Sequence, residues 1–160
     1  MRIISTGELF RGLEEVETEA GRRVKEILKS GGLPPEEMAV MLWMHEMAFT
    51  VQEDEGVIFD GTPRRLQEAV QMDRFLEFVK RKAVTKVIHL AVNPEEVTRR
   101  LLDRKRKDDT AEAIRKRIEY YYDEVVSTVE YYKQQNRLIE INGEQAVEDV
   151  FRDLLVALNL

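Results

Sequence analysis

The chain has 160 residues, 43% of them hydrophobic, with 8 glycines and 4 prolines, enough apolar side chain for one substantial core and few breaks to interrupt it. Its net charge of −6 excludes a general surface for nucleic acid polymers, which needs surplus Lys and Arg to displace counterions. The lack of cysteine excludes disulfides and thiolate metal sites, and no apolar run reaches the roughly 18 residues of a membrane span. The expectation is one soluble, cytoplasmic domain over residues 1–160 that does not engage a membrane.

Apolar residues recur at helical spacing from about Leu9 to Leu28, where Gly31-Gly32 closes the segment, and Leu33-Pro34-Pro35-Glu36-Glu37 opens a second helix toward Gln52. Proline at a first turn and acids near the positive end of the helix dipole both favour that start. Val57-Ile58-Phe59 is a short apolar run ending at Asp60-Gly61, and Val84 to Val92 holds a second run rich in β-branched residues; both read as buried strands. Between them, Leu66, Val70, Phe75, Leu76 and Val79 mark a helix from Pro63 to about Lys82.

Asn93-Pro94-Glu95-Glu96 predicts a capped helix carrying Arg99 to Arg104. Asp109-Thr110-Ala111-Glu112 starts a long helical pattern toward Gln134. Leu138-Ile139-Glu140-Ile141 reads as a strand before an Asn142-Gly143 turn, and a last helix covers about Ala146 to Leu158. Short buried strands alternating with helices imply an α/β fold with a parallel sheet flanked by helices.

Charge is uneven along the chain. Thr98 to Arg117 holds nine basic and four acidic residues, a basic island on an acidic protein, which suits a compact anionic ligand. His45 and His89 have no spacing for a metal site or a nucleophilic triad. They read as packing residues, as do Trp43, the Met38-Met41-Met44-Met47 series and Tyr120-Tyr121-Tyr122.

Four segments in order carry a more specific message: Ser5-Thr6-Gly7-Glu8-Leu9-Phe10-Arg11, Phe59-Asp60-Gly61-Thr62-Pro63-Arg64, Arg100 to Arg104, and Arg106-Lys107-Asp108-Asp109 through Arg115-Lys116-Arg117. Together they resemble the phosphate-handling motifs of adenylate kinases and related nucleoside monophosphate kinases. The resemblance implies a P-loop-kinase-like three-layer fold, an acceptor-binding helical region at about 6–53 and a minimal lid at about 104–109. It also implies reversible phosphoryl transfer, with Mg²⁺, from ATP to AMP or another nucleoside monophosphate.

By the same resemblance, Thr6, Arg11, Pro34, Gly61, Arg64 and Glu68 contact the acceptor. Asp60 joins a magnesium-water network. Arg100, Arg104, Arg106 and Arg117 stabilise the transferring group, and Arg100, Arg104 and Gln145 meet ATP. Two positions depart from the family pattern. Thr62 stands where Phe is usual, and Glu68 stands where a glutamine reads adenine. A carboxylate accepts hydrogen bonds from an exocyclic amine but offers nothing to the N1 acceptor, so CMP rivals AMP.

The family's G-x-x-x-x-G-K-[ST] phosphate loop does not occur in these 160 residues. That loop supplies the N–H cradle and the lysine for the donor phosphates, so the chain as given is expected to be a weak or inactive kinase. The family's first strand lies in mid-sheet, and its loss would leave the strands at Val57 and Val87 with unpaired backbone groups. Either Met1-Arg2-Ile3-Ile4 fills the gap, the neighbours close up, or a second chain supplies the strand; otherwise a monomer is expected. Two non-catalytic readings stand beside this one: a mononucleotide-binding, pseudokinase-like module, and a protein-interaction domain using the basic face around Arg104.

Overall fold

The computed structural model describes residues 1–30, 32–104 and 109–160. It forms two compact units, Met1–Lys82 and Ala83–Leu160. Gly31, Arg106 and most of the expected lid, residues 105–108, lie outside the described residues.

In the first unit β1 (Arg2–Ser5) pairs in parallel with β2 (Val57–Asp60), Ile4 opposite Phe59 and Ser5 opposite Asp60. Met1-Arg2-Ile3-Ile4 thus does enter a strand, and its partner is β2. Strand alternation turns Ile4, Val57 and Phe59 toward one face, where they pack with Val40, Trp43, Met47, Met72 and Leu76. Those residues come from α3 (Glu36–Thr50) and α4 (Leu66–Phe78). Trp43 is fully enclosed, its ring edge-on to Phe59 and Phe75 at 6.0 and 5.5 Å. A second apolar cluster, Phe10, Val24 and Ala39, joins α1 (Thr6–Glu14) and α2 (Glu19–Lys29) to α3.

The single helix expected from Leu9 to Leu28 is therefore two. Thr18 sits extended and its Oγ1 accepts the Gly21 N–H at 3.1 Å, starting α2 afresh. Gly21 is required there, since a Cβ would lie 2.2 Å from the Val16 carbonyl oxygen. Thr18→Ala is expected to destabilise this unit by about 1 kcal/mol, the usual cost of losing an N-cap. Urea unfolding followed by the emission of Trp43, the only tryptophan in the chain, checks it.

The helix expected from Pro63 is also shorter. It begins at Leu66, after Arg65, whose backbone is extended. It ends at Phe78, and Lys80 follows in the left-handed region at φ 58°, the usual way to leave a helix. Arg81 then ties this end to the loop before β2, donating to the carbonyls of Glu55, Gln52 and Glu53 at 2.7 to 2.8 Å.

In the second unit β3 (Val87–Ala91) pairs in parallel with β4 (Leu138–Asn142). The strand begins at Val87, where pairing with Leu138 begins, and not at Val84, which is 78% exposed in a 3₁₀ turn. Asn93 caps α5 (Pro94–Arg104), its Oδ1 accepting the Glu96 N–H at 2.8 Å. Thr110 caps α6 (Ala111–Tyr120) by accepting the Ala113 N–H at 3.2 Å. The pattern continues to Gln134 as expected, but a π turn at Tyr121–Val125 separates α6 from α7 (Val126–Gln134). Chain and core close with α8 (Val147–Leu158), against β4, and Ile114, Tyr132 and Ile141 are the buried hydrophobic centre.

His89 is more than a packing residue. Its Nδ1 lies 3.2 Å from Glu140 Oε2 and its Nε2 2.8 Å from the Tyr121 hydroxyl, so the π turn presents a tyrosine to a histidine on the sheet. The architecture throughout is α/β, rich in helix, with small parallel sheets of two strands each among the described residues. No helix among them is long and apolar enough to cross a membrane.

Candidate functional site

In the first unit, the carboxyl end of β2 and the junction of β1 with α1 lie side by side because the parallel register sets Ser5 opposite Asp60. Strand ends of this kind are where α/β sheets place ligands. Ser5 Oγ donates to Asp60 Oδ2 at 3.1 Å. One residue on, the buried Thr6 donates its hydroxyl to the Gly61 carbonyl at 3.0 Å. That same carbonyl accepts Arg64 Nε at 2.8 Å. Thr6, Gly61 and Arg64 are thus gathered on a single oxygen.

Gly61 makes this possible. Its φ of +76° suits glycine, and a Cβ there would stand 3.0 Å from Arg64 Nη2 and 3.2 Å from Thr6 Oγ1. Arg11 lies one helical turn beyond Gly7, whose own Cβ would meet Arg11 Nη1 at 3.3 Å and Ser5 Oγ at 3.8 Å. Arg11 is exposed, and among the described residues its guanidinium has no hydrogen bond or ion pair. Pro34, expected to contact the acceptor, is buried just ahead of α3.

Glu68, on the first turn of α4, is 4% exposed. Its Oε2 accepts the Arg64 N–H at 2.7 Å and the Thr62 hydroxyl at 3.4 Å. Burial pushes its carboxyl above the ordinary range, against the pull of the Arg64 N–H and of the Arg64 and Arg65 charges. The two departures from the family pattern, Thr62 and Glu68, therefore meet each other. Pattern matching had no means of finding this, because the two positions are judged one at a time.

In the second unit the basic residues of the island that the structure describes each meet an acid. Arg104 makes a two-pronged contact with Asp109, Nε and Nη2 each at 2.9 Å, and Arg117 Nη1 meets the same carboxylate at 2.7 Å. The Asp109 side chain has no exposed surface. Hydrogen bonds from Arg104, and with them Arg117, hold its carboxyl down to about 2. Arg100 sits a turn before Arg104 and donates to Glu96 at 2.6 Å and to the Gly143 carbonyl at 2.8 Å. That contact sets Arg100 beside the turn bearing Gln145, whose Nε2 donates to Asp153 at 2.7 Å and to the Asn142 carbonyl at 3.1 Å.

Glu96 grips Arg99 as well, and hydrogen bonds from Arg99 and Arg100 lower its carboxyl to about 2. Arg115 and Lys116 pair with Glu119 and Glu112. The sequence also allows a solvated charge run paired with Asp108, Asp109 and nearby glutamates, and the structure pairs Asp109 and Glu96 with these arginines. The i, i+4 spacing of Glu96 and Arg100 was the available signal.

A family model described as adenylate kinase matches residues 1–137. The chain is 34% identical to an adenylate kinase of Azobacteroides pseudotrichonymphae over 156 residues, covering 95% of this chain and 81% of that protein. It is 33% identical to an adenylate kinase of Maricaulis maris over 159 residues, covering 97% and 84% respectively. An adenylate kinase of Oenococcus oeni is 35% identical over 147 residues, 90% of this chain and 78% of the relative. With the model matching most of the chain and these relatives spanning nearly all of it, the chain belongs to the adenylate kinase family, phosphotransferases of the nucleoside monophosphate kinase class.

Proposed function

We propose that residues 1–160 form one nucleoside-monophosphate-kinase-like domain that binds AMP or another nucleoside monophosphate and belongs to a phosphoryl-transfer reaction with ATP. Thr6, Arg11, Pro34, Gly61, Arg64 and Glu68 make the acceptor site in this reading. Arg100, Arg104, Arg106 and Arg117 serve the transferring group by the family resemblance, Arg106 lying outside the described residues, and Gln145 serves the adenine nucleotide. The observation that carries it is the gathering of Thr6 and Arg64 on the Gly61 carbonyl at a strand end, with the exposed Arg11 on the adjoining helix.

The chemistry suits the residues. Phosphoryl transfer is catalysed chiefly by positioning and by charge stabilisation, and arginine binds phosphate through two parallel N–H bonds. Mg²⁺ keeps several waters and is held by one or two carboxylates with substrate phosphates. Asp60, exposed and hydrogen-bonded to Ser5, fits a role through metal-bound water. No cluster of three His, Asp or Glu that could cage a metal occurs among the described residues. Bound there, Mg²⁺ would offset charge on the phosphates.

A second reading follows from the sequence, which lacks G-x-x-x-x-G-K-[ST]: a mononucleotide-binding module with little transfer activity of its own. Both readings are tested on the purified 160-residue chain. Titration calorimetry with AMP, CMP and UMP is expected to show binding, and a coupled assay with ATP and Mg²⁺ is expected to show weak transfer or none. A folded chain that binds none of the three would overturn the acceptor site. Vigorous transfer would overturn the second reading.

A further inference from the structure

The strand-end loop of the first unit holds an acid with almost no contact with solvent. Glu68 is 4% exposed, yet it sits on the first turn of α4, where most acids stay in water. Its Oε2 is engaged by the Arg64 N–H at 2.7 Å and by the Thr62 hydroxyl at 3.4 Å. A glutamate on a first helical turn reaching back to an N–H ahead of the helix is the logic of a capping box. Here the N–H it takes belongs to the arginine that the site presents.

We propose that Glu68 is a positioning residue. With Thr62 it fixes the backbone of Arg64, so that the acceptor is selected by its phosphate while this position leaves the base unread. The inference rests on the acceptor reading given above and concerns how the phosphate of a nucleoside 5′-monophosphate is met.

The argument has three parts. Arg64 is held at both ends of its own residue, its N–H by Glu68 and its Nε by the Gly61 carbonyl at 2.8 Å. Two such anchors leave the guanidinium little freedom before phosphate arrives, which lowers the ordering cost of binding. Next, a carboxylate that accepts from the protein and has almost no exposed surface is not offered to an exocyclic amine. Finally, the hydroxyl of Thr62 donates to the same Glu68 oxygen at 3.4 Å. The departure at position 62 and the departure at position 68 form one device.

The test is titration calorimetry of the full 160-residue chain with AMP, UMP and ribose 5-phosphate, the last having no base. Glu68→Ala is expected to weaken all three by a common factor of about ten, the cost of a lost hydrogen bond to a charged acceptor. Glu68→Gln keeps a carbonyl acceptor and is expected to recover most of that loss, again equally for the three ligands. Thr62→Val should weaken all three about twofold, as a long bond is worth less.

Loss of affinity for AMP with ribose 5-phosphate unaffected, or a shift of more than about threefold, beyond a single weak contact, in the AMP-to-UMP ratio of Glu68→Ala or Thr62→Val, would make Glu68 a base reader and overturn the proposal. Should Glu68→Ala fail to fold, as judged by Trp43 emission, the AMP-to-UMP ratio and the uniform loss in Thr62→Val decide the matter. A wild-type chain that binds none of the three ligands defeats the acceptor reading itself. Wild-type binding with a base-selective change on substitution defeats only the present inference.

Discussion

Arg64→Ala is expected to weaken nucleoside monophosphate binding about a hundredfold, the loss of one bidentate, charge-assisted contact to phosphate. The expectation follows from the placement of the guanidinium, anchored on the Gly61 carbonyl beside Thr6 at a strand end. Folding should suffer little. Arg64 lies outside the core built around Trp43, so its truncation opens no cavity there. Calorimetric affinity for AMP and CMP, taken together with urea unfolding, separates the two effects. Loss of affinity of less than about threefold, no more than a weak neutral contact supplies, would show that the phosphate is held elsewhere, with Arg11 the next candidate.

Arg64→Lys refines the same expectation. Lysine keeps the charge but loses both the planar fork and the Nε bond to Gly61, so most of the loss should remain. If lysine restored full affinity, charge alone would be sufficient and the anchoring seen at Gly61 would have no bearing on the acceptor.

What could be read in the sequence and what could not differ by physical kind. Signals confined to a few consecutive residues were legible. Val57-Ile58-Phe59 and Leu138-Ile139-Glu140-Ile141 are apolar runs too short for helices, and both are strands. Asn93 and Thr110 are capping residues ahead of helical patterns, and both caps form. The strand-end arginine was found by its motif, although its anchors were not.

Signals that depend on two distant residues were hidden. Thr18 sits within an apolar periodicity that continues past it, so the break between α1 and α2 depends on the close approach of Gly21 to the Val16 carbonyl. Met1-Arg2-Ile3-Ile4 is too short to mark a strand by pattern and enters only as one way to fill a gap; pairing with β2 forms the strand. The partners of Thr62, His89 and Arg117 come from packing, and a one-dimensional pattern holds no distances. The basic island shows the consequence most clearly. Counted along the chain it is an excess of positive charge. In three dimensions Glu96 and Glu119, which lie outside the island, join Asp109 and Glu112 as partners of its described basic side chains.

Asp109 is shared by Arg104 and Arg117, and its loss should be the largest perturbation of the second unit. Its carboxylate is enclosed and touches Arg104 at 2.9 Å and Arg117 at 2.7 Å, so its removal takes from two guanidinium groups the counter-charge they share. Its folded pKa of about 2 lies below the ordinary value of 3.8. A depressed carboxylate contributes stability that is present above the unfolded value and is lost as pH falls through the folded one. The window therefore runs from about pH 4 down to about pH 2, and the contribution at neutral pH is about 2 kcal/mol. Asp109→Asn should lower the melting temperature at pH 7 and cost that amount, while the gap between variant and wild type should narrow steadily below about pH 4. Glu96, lowered by Arg99 and Arg100, titrates in the same direction and remains in the variant, so acid sensitivity should be reduced without vanishing. Circular dichroism melts of both proteins at pH 7, 4 and 2.5 measure this. Equal melting temperatures at pH 7 would show that the arginines find other partners at no cost, and a gap undiminished at pH 2.5 would show that Asp109 acts through its shape and not its charge.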